Sequence, residues 1–239
     1  MKNLPKITAI IVAYNEELMI EQIISELKKQ NYNGEVEYIL ADGGSNDQTV
    51  ELAKKHHLSI VLSKQKGKAV QMNTAAQAAT GDVLFFVHAD MQFPNNTFTS
   101  IIDVITQGYA GGGFANVFDS QNEKIKNLGN LLNLRFLDKR EQSDKGVFYG
   151  DNAIFVLKDA FHTLGGFKEI PIMEDFDFSK RLSKKYKTFK IREPQIIVSS
   201  RRHIKAGFIK TRLQWVFIRI FFQWGVSPFL LAKWYKDIR

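Results

Sequence analysis

Short apolar runs, each ending in glycine or polar residues, alternate with segments of helical periodicity in the first half of the chain. The runs Ile7–Ala13, Val36–Ala41 and Val83–His88 are continuously apolar, which is typical of strands buried on both faces of a parallel sheet. From Ile20 to Leu27, apolar residues recur with the spacing of one helix face. This alternation of strands and helices predicts an α/β fold with a doubly wound, mostly parallel central sheet.

The second half of the chain has a less regular pattern. Its periodicity predicts helices over residues 96–107 and 173–185, and strands over residues 111–118, 153–157, 189–191 and 196–199. Residues 120–145 are polar and show no clear period. We expect the later strands to extend the same sheet, so that the two halves of the chain share one continuous sheet.

The C-terminal segment, residues 208–235, differs from the rest because it contains all three tryptophans and a narrow polar stripe of Arg212, Arg219 and Gln223. Aromatic side chains beside arginines are typical of helices that lie at a membrane interface, which predicts peripheral membrane contact through these residues. The alternative is a helix that closes over the core or pairs with a second copy of the chain in a homodimer. Both interpretations remain open at this point.

Composition narrows the class of partner. The 239 residues carry a net charge of +8 and no cysteine, which favours an anionic partner such as a nucleotide diphosphate or an acidic membrane face. Nucleic acid is not expected, because no helix-turn-helix, zinc or RNA-binding signature is found. The N-terminus has no apolar signal core, so we expect a cytoplasmic protein, peripheral on the inner face of the cell membrane if the tail binds lipid.

Polar residues follow the predicted buried strands, where ligands collect in parallel sheets. Asp42 precedes Gly43 and Gly44, and its carboxylate could accept hydrogen bonds from a base or ribose; the alternative is an aspartate that only shapes the turn. Ser45, with Gln48 three positions later, predicts a capping box at the next helix.

His88 and Asp90 end the most apolar run and are candidate metal ligands. A hard divalent ion that also binds substrate phosphates needs only one or two protein carboxylates, so Asp90 could hold Mg²⁺ or Mn²⁺. Imidazole suits Mn²⁺ better than Mg²⁺, which makes His88 a conditional ligand. The alternative for His88 is a hydrogen-bonded histidine at the end of a strand.

Glu174 and Asp175 stand at the start of a predicted helix, where the helix dipole stabilises carboxylates. The functional hypothesis is that Asp175 accepts a proton from a hydroxyl group. The basic cluster consists of Lys66, Lys68, Arg201, Arg202 and His203. Its arginines could neutralise a diphosphate and its histidine could bind metal, whereas the alternative is a solvated basic loop.

Five segments, in this order along the chain, resemble motifs of the family 2 glycosyltransferases, which have the A-type nucleotide-sugar fold. They are Ala13-Tyr14-Asn15-Glu16, Asp42-Gly43-Gly44-Ser45-Asn46-Asp47, Gly67-Lys68 through Asn73, Gly81-Asp82 and Glu174-Asp175. Two features depart from the family pattern: His88-Ala89-Asp90 replaces its Asp-x-Asp metal motif, and its late Gln/Arg-x-x-Arg-Trp motif is absent. The segments Gln71-Met72-Asn73 and His88-Ala89-Asp90 resemble those of a small, non-processive bacterial subgroup of the family.

The resemblance implies an inverting transfer from a nucleotide diphosphate-sugar, most simply a UDP-sugar, to a hydroxyl acceptor that is a small molecule or lipid-linked. It implies a catalytic pair of Asp175 and Glu174, and metal ligands among Asp90, His88 and His203 for Mg²⁺ or Mn²⁺. The implied phosphate or acceptor contacts are Asp151, Arg201 and Arg202. The implied nucleotide contacts are Ala13, Tyr14, Asn15, Glu16, Asp42, Gly67, Lys68, Asn73, His88 and Ala89.

On this basis we expect residues 1–205 to form the transferase domain, with a nucleotide-binding half (1–93) and an acceptor half (94–205), and residues 206–239 to form a helical tail. A nucleotidyltransferase is the alternative from another enzyme class, although the Tyr14-Asn15-Glu16 loop argues against it. A non-catalytic, membrane-associated protein that binds nucleotide sugars is a third hypothesis.

Overall fold

The computed structural model describes residues 4–63, 65, 67–119, 123, 127, 146–201, 204 and 207–235. The strands are β1 (Ile7–Ala13), β2 (Val36–Asp42), β3 (Ser59–Leu62), β4 (Val83–His88), β5 (Met91–Gln92), β6 (Gly111–Phe118), β7 (Phe155–Leu157) and β8 (Thr188–Val198). The helices are α1 (Ile20–Lys28), α2 (Thr49–Lys55), α3 (Lys68–Ala78), α4 (Thr97–Thr106), α5 (Lys158–Thr163), α6 (Glu174–Lys185), α7 (Phe208–Gln223) and α8 (Pro228–Trp234), with a short 3-10 helix at Gly150–Asn152.

The strands form one sheet in the order β3-β2-β1-β4-β7-β6-β8-β5, and its first four strands are parallel. Asp42 is in register with Ala13, and His88 is in register with Val12. The carboxyl ends of β2 and β4 therefore lie on either side of the end of β1. This part of the sheet confirms the predicted α/β fold and brings the predicted strand-end residues to one edge.

In the rest of the sheet β6 and β8 are parallel to each other and run in the same direction as the first four strands, so the expectation of a mostly parallel sheet is confirmed, and only β7 and β5 are reversed. Strand β7 lies between β4 and β6 and runs antiparallel to both, and β5 runs antiparallel to β8. A single strand, β8, replaces the two short strands predicted at 189–191 and 196–199, and its pairing with β6 shifts register between Phe114 and Asn116. Apolar runs predict where strands lie but carry no information about their direction.

Both faces of the sheet are covered, which explains the continuous apolar runs. On one face, alternate residues of β1 such as Ile11 pack with α1, α2 and α4, and Phe85 of β4 joins them. On the other face, Ile10 and Phe86 pack with α3, α5 and α6. Every residue of β1 is buried, as expected for a strand in the middle of such a sheet.

The tail helices α7 and α8 pack on the molecule through a small cluster in which Ile218 and Leu231 contact the region of Met173 and Phe176 at the start of α6. None of the described helices is long and apolar enough to cross a membrane. Other apolar side chains of this segment remain exposed, and we call them together the tail surface. The tail surface consists of Leu213, Val216, Phe217, Trp224, Phe229, Leu230 and Trp234.

Candidate active site

The loops that follow β1 and β2 are hydrogen-bonded to each other. The backbone N–H of Asn15 donates to Ser45 Oγ (2.9 Å), and the N–H of Asn46 donates to Asn15 Oδ1 (2.9 Å). The N–H of Glu16 donates to Thr49 Oγ1 (2.9 Å). The two loops therefore form one wall beside the strand ends. Asn15 and Glu16, which are predicted to contact a nucleotide, take part in the hydrogen bonds that hold this wall together.

Asp42 is buried, with 1% of its surface exposed, and its carboxylate is engaged by its own turn. Its Oδ2 accepts hydrogen bonds from the N–H groups of Gly44 (2.8 Å) and Ser45 (2.9 Å), and its Oδ1 accepts one from the Ser45 hydroxyl (2.5 Å). The turn-shaping alternative for Asp42 is therefore observed, and its contact with a nucleotide stays a prediction.

The predicted capping box at Ser45 and Gln48 is wrong. Helix α2 begins at Thr49, and its N-cap residue Gln48 makes no side-chain cap hydrogen bond. The Ser45 hydroxyl instead donates to Asp42 and accepts from the N–H of Asn15. The Asp47 carboxylate accepts hydrogen bonds from the N–H (3.0 Å) and hydroxyl (2.5 Å) of Thr49.

Helix α3 starts after Gly67 and places Lys68 in its first turn. The side-chain amide of Asn73, on the same helix, exchanges two hydrogen bonds with the backbone of Phe167, at 2.8 and 2.9 Å. A Cβ atom on Gly166 would lie 2.7 Å from Asn73 Oδ1, so this close approach requires glycine. Asn73 thus ties α3 to the loop after α5, and its predicted nucleotide contact stays a prediction.

Arg201 forms ion pairs with two carboxylates at the strand ends. They are Asp90, which follows β4, and Glu16, which follows β1. Arg201 Nη2 is 3.2 Å from Asp90 Oδ2 and 3.6 Å from Glu16 Oε2. Among the described residues, no three histidine or acidic side chains are close enough to form a metal site by themselves. The predicted residues Lys66, Arg202 and His203 lie outside the described part of the chain.

Three of the predicted residues converge around Gly150. A Cβ atom on this glycine would lie 2.7 Å from Lys68 Nζ, 2.9 Å from His88 Nε2 and 3.4 Å from Asp175 Oδ2. These side chains come from α3, β4 and α6, which are far apart in the sequence. They line a pocket whose remaining walls are Met72, Phe86, Ile154 and Phe167.

Asp175 has a fixed orientation in this pocket. Its Oδ2 accepts a hydrogen bond from the N–H of Gly150 (2.5 Å), and its Oδ1 accepts one from the N–H of Phe176 (2.6 Å). Its neighbour Glu174 is buried, with 8% of the side chain exposed, and its Oε1 lies 3.7 Å from Lys68 Nζ.

The pKa values of the pocket residues are shifted because one amine, that of Lys68, lies near several carboxylates. Burial alone would lower the pKa of Lys68, yet the net effect is a raised pKa, because nearby carboxylates favour the charged amine. Burial and the negative charge of Asp175 raise the pKa of Glu174, and Lys68 only partly offsets them. The carboxylates that act on Lys68 are Glu174, Asp175, Asp151 and Asp90.

Comparison with known sequences identifies the family. Residues 8–165, about two thirds of the chain, match the model of glycosyl transferase family 2. This chain belongs to glycosyl transferase family 2. The family and enzyme class predicted from the motifs are therefore confirmed.

Two curated relatives act on lipid substrates according to their names. An undecaprenyl-phosphate 4-deoxy-4-formamido-L-arabinose transferase from Pectobacterium atrosepticum is 27% identical over 157 residues, covering 60% of this chain and 47% of the relative. A beta-monoglucosyldiacylglycerol synthase from Trichormus variabilis is 25% identical over 194 residues, covering 75% of this chain and 42% of the relative. This family 2 chain thus spans less than half the length of these relatives.

Solved structures share the fold. A mannosyltransferase from Pyrobaculum calidifontis, in complex with GDP-Man and Mn²⁺, superposes with a TM-score of 0.65 at 19% identity, covering 82% of this chain and 57% of its own. TarS residues 1–349 from S. aureus, in complex with UDP-GlcNAc, superposes with a TM-score of 0.67 at 15% identity, covering 81% of this chain and 58% of its own. At these identities the similarity confirms the fold class alone.

Two residues of the candidate site were not predicted from the sequence. Gly150 lies at its centre, and the only signal was the Gly150-Asp151-Asn152 turn before a predicted strand. Gln71 was not among the predicted site residues, although it lies on the buried face of α3 and donates hydrogen bonds to the Ala13 and Ala41 carbonyl oxygens, at 3.1 and 3.5 Å. A glutamine at an otherwise apolar helix position was the available signal.

Proposed function

We propose that this chain is an inverting, metal-dependent glycosyltransferase that moves a sugar from a nucleotide diphosphate-sugar, most simply a UDP-sugar, to a hydroxyl acceptor. The observation that carries the proposal is the convergence of Lys68, His88 and Asp175 around Gly150, where they line one pocket. His88 ends β4, so this pocket lies at the carboxyl edge of the parallel strands. Ligands typically bind at this edge of a doubly wound sheet.

The nucleotide would lie against the wall formed by the loops after β1 and β2. Tyr14, Asn15, Glu16 and the turn at Asp42 belong to this wall, and Lys68, in the first turn of α3, carries a positive charge. A cation at that position would attract the diphosphate and help neutralise the leaving group. The names of the structural neighbours, with UDP-GlcNAc or GDP-Man bound, support a nucleotide sugar as the donor.

Asp175 would act as the general base. Its carboxylate faces the pocket, and each oxygen already accepts one backbone hydrogen bond, which leaves the remaining lone pairs for an acceptor hydroxyl. Once it has lost its proton to Asp175, the acceptor oxygen would attack the anomeric carbon from the face opposite the diphosphate. One base and one displacement invert the configuration of the sugar. Glu174 would hold Lys68 in place beside this base.

The residues near Asp90 fit a divalent ion. The Asp90 side chain is 36% exposed and the neighbouring Glu16 side chain is 21% exposed, so one or two carboxylates are available, and phosphates of the donor would complete the coordination. Mg²⁺ or Mn²⁺ held there would stabilise negative charge on the diphosphate. His88 Nε2 would lie 2.9 Å from a Cβ atom on Gly150, and this imidazole would be an additional ligand if the ion is Mn²⁺.

The acceptor would be a hydroxyl on a small molecule or a lipid-linked compound. The names of two relatives, which mention undecaprenyl phosphate and diacylglycerol, support the lipid-linked class. The tail surface carries exposed tryptophan and phenylalanine side chains, and no acidic residue occurs between Arg201 and Tyr235. We propose that it contacts the inner face of the cell membrane and keeps the cleft close to such an acceptor.

The function is tested by incubating the purified protein with UDP- and GDP-sugars and Mn²⁺, after a thermal-shift screen has identified those that bind. The expected result is release of the nucleoside diphosphate and, with an acceptor, a product whose anomeric configuration by NMR is opposite to that of the donor. Formation of a sugar nucleotide from a nucleoside triphosphate and a sugar phosphate would instead support nucleotidyl transfer. Binding without any release would support the non-catalytic alternative.

A further inference from the structure

Helix α7 of the tail packs directly against a residue that holds Asp175. The ring of Phe222 on α7 meets the ring of Phe176 edge to face, with centroids 5.9 Å apart and planes at 88°. Phe176 is buried, and its backbone N–H donates the hydrogen bond to Asp175 Oδ1 (2.6 Å). Phe176 therefore joins the tail to the proposed base, through its ring on one side and its backbone on the other.

The second donor to Asp175 belongs to the same packing. The N–H of Gly150 donates to Asp175 Oδ2, and the ring of the preceding residue, Tyr149, lies 6.0 Å from the ring of Phe176. Tyr149 and Val147 both pack against the cluster that the tail forms with the start of α6. The members of this cluster come from residues 147–149, 172–176 and 215–235. Both backbone donors to Asp175 thus lie beside residues on which the tail packs.

The turn that leads into α6 is strained and is covered by the tail. Met173, the N-cap residue of α6, has a φ of +69° and a ψ of 17°, a left-handed conformation that residues other than glycine rarely adopt. Such a conformation costs free energy and persists only where the surrounding structure holds it. Met173 is buried in one cluster with Ile218 of α7 and Leu231 of α8. The direction in which Glu174 and Asp175 leave this turn is therefore supported by the tail.

The apolar residues of α7 fall into two groups. Trp215, Ile218 and Phe222 are three and four positions apart, so they share one face of the helix, and all three belong to the cluster. Val216 and Phe217 are exposed and belong to the tail surface. The proposed membrane contact uses the exposed group, so a residue of the cluster can be replaced while the tail surface stays intact.

We infer that the tail helices are part of the catalytic unit, and that Phe222 is a positioning residue that acts through Phe176 to keep the Asp175 carboxylate directed at the acceptor hydroxyl. This inference rests on the proposed function, because it concerns the general base of the same transfer. Without the Phe222 ring, the start of α6 and the 3-10 helix can shift, and the carboxylate loses its fixed orientation. Turnover then falls because a misplaced base reacts slowly, whereas the nucleotide wall after β1 and β2 is unchanged.

Hydrogen exchange tests the packing part of the inference without relying on activity. In the full chain carrying Phe222→Ala, without lipid, we expect the amides of Gly150 and Phe176 to exchange about tenfold faster than in the wild type, since loss of a packed ring favours local opening. Phe189→Ala is the matched control, because Phe189 is 38% exposed and its ring also packs on an aromatic neighbour, Tyr109, at 5.1 Å. It should leave both exchange rates near their wild-type values.

The catalytic part is tested by release of nucleoside diphosphate from the UDP- or GDP-sugar that the wild type turns over. We expect Phe222→Ala to lower kcat about tenfold and to change the Kd of UDP or GDP, measured by calorimetry, less than about twofold. Phe189→Ala should keep both values. If circular dichroism shows that Phe222→Ala is unfolded, Phe222→Leu replaces it, with the same pattern and changes of about twofold to fivefold.

Unchanged exchange of both amides in the folded Phe222 variant would overturn the inference, as would equal acceleration in Phe189→Ala or an unchanged kcat. In each of these cases the wild type still turns over the nucleotide sugar, so the proposed function survives. If the wild type releases no diphosphate from any UDP- or GDP-sugar, the proposed function and the positioning role of Phe222 fail together.

Discussion

The backbone N–H of Gly150 donates a 2.5 Å hydrogen bond to Asp175 Oδ2 and so links the 3-10 helix before β7 to the first turn of α6. A second backbone donor, the N–H of Phe176, holds Oδ1. Backbone donors have little freedom to rotate away, so the carboxylate keeps one orientation toward the pocket. A general base needs this kind of preorganisation, because its reaction depends on the position of the acceptor hydroxyl.

Replacing Asp175 by asparagine tests the proposed base. Asparagine has nearly the same shape but cannot accept a proton, so we expect Asp175→Asn to lower kcat at least ~10²-fold, the scale of general-base catalysis. The affinity for the nucleoside diphosphate, measured by calorimetry, should change little. Asp177→Asn on the same helix is the control, because Asp177 pairs with Arg181 and Lys168 and not with the pocket. Unchanged turnover in Asp175→Asn would rule out Asp175 as the base.

The substitution Gly150→Ala tests whether activity depends on the close approach of Lys68, His88 and Asp175 around this glycine. The added Cβ of Gly150→Ala would lie 2.7 Å from Lys68 Nζ and 2.9 Å from His88 Nε2, so these side chains must move. We expect kcat/KM to fall at least about tenfold, since small displacements at a reacting centre are costly.

Gly108→Ala is the control for that substitution. Gly108 has a φ of +89° and open space around it, so its replacement strains the backbone without touching the pocket. It should lower the melting temperature while leaving kcat/KM near the wild-type value. Equal activity losses in the Gly150 and Gly108 variants would mean that stability, and not the pocket, limits activity.

The strand ends could be located from the sequence because continuous apolar runs identify doubly buried strands, and parallel strands end at one edge of a sheet. Asp42, His88 and Asp90 were found in this way. The hydrogen bond between Gly150 and Asp175 could not be predicted from the sequence. It depends on how two segments that are distant in the sequence pack near β7, a strand of only three residues that runs antiparallel to β4. Local patterns carry no signal for such a contact.

The neighbours of Arg201 show a second limit of the sequence. Its charge suggested a phosphate contact, and a phosphate-binding residue and an ion-pairing residue look alike in sequence. In the structure its guanidinium lies between Asp90 and Glu16. The partner of a surface arginine depends on which residues the fold brings close to it. Here the fold brings the segment after β8 close to the ends of β1 and β4.

Glu174 gives the stability of the fold a specific pH dependence. Its pKa is raised by burial and by Asp175, so ionising this carboxyl costs more in the folded than in the unfolded chain. Its contribution to stability is therefore complete below the ordinary pKa of about 4.5 and is lost as the pH rises through the higher folded value. Relative to the wild type, Glu174→Gln should become progressively more stable over that range.

Urea denaturation of the wild type and of Glu174→Gln, at a series of pH values, measures this difference. Glu169→Gln, at an exposed position before the same helix, is the control and should keep a constant difference from the wild type. A stability difference between Glu174→Gln and the wild type that does not vary with pH would show that the Glu174 pKa is the same in both states.

Arg201 should compete with a divalent ion for Asp90. Its Nη2 atom, 3.2 Å from Asp90 Oδ2, places a positive charge beside the proposed ligand. We expect Arg201→Ala to strengthen binding of Mn²⁺, in the absence of nucleotide, roughly twofold to fivefold, the scale of an exposed ion pair. Asp90→Ala should abolish binding at this site.

Electron paramagnetic resonance of free and bound Mn²⁺ measures these affinities without relying on activity. Arg192→Ala, an exposed arginine on β8, is the control for the loss of one positive charge from the whole protein. If Arg192→Ala and Arg201→Ala strengthen binding equally, the effect comes from net charge and not from the contact with Asp90.

The tail surface should bind membranes through aromatic insertion and positive charge. Trp224, Phe229 and Trp234 are 76%, 62% and 57% exposed, and Lys210 and Lys233 are exposed on the same two helices. We expect the full chain to float with vesicles that contain anionic lipid, and to float less at high salt, which screens the lysine charges. Replacing the three aromatic residues by serine should abolish flotation even at low salt.

Exposed apolar residues elsewhere provide the control, because their replacement changes surface hydrophobicity without changing the tail. Leu18 and Leu62 are 90% and 61% exposed and lie on other parts of the molecule, so the double serine variant should float like the wild type. Size-exclusion chromatography of both variants separates lipid binding from pairing of two chains: if the tail surface is a dimer interface, the aromatic substitutions convert a dimer to a monomer. If the wild type does not float and the aromatic substitutions convert a dimer to a monomer, the tail surface binds a second copy of this chain and not a membrane.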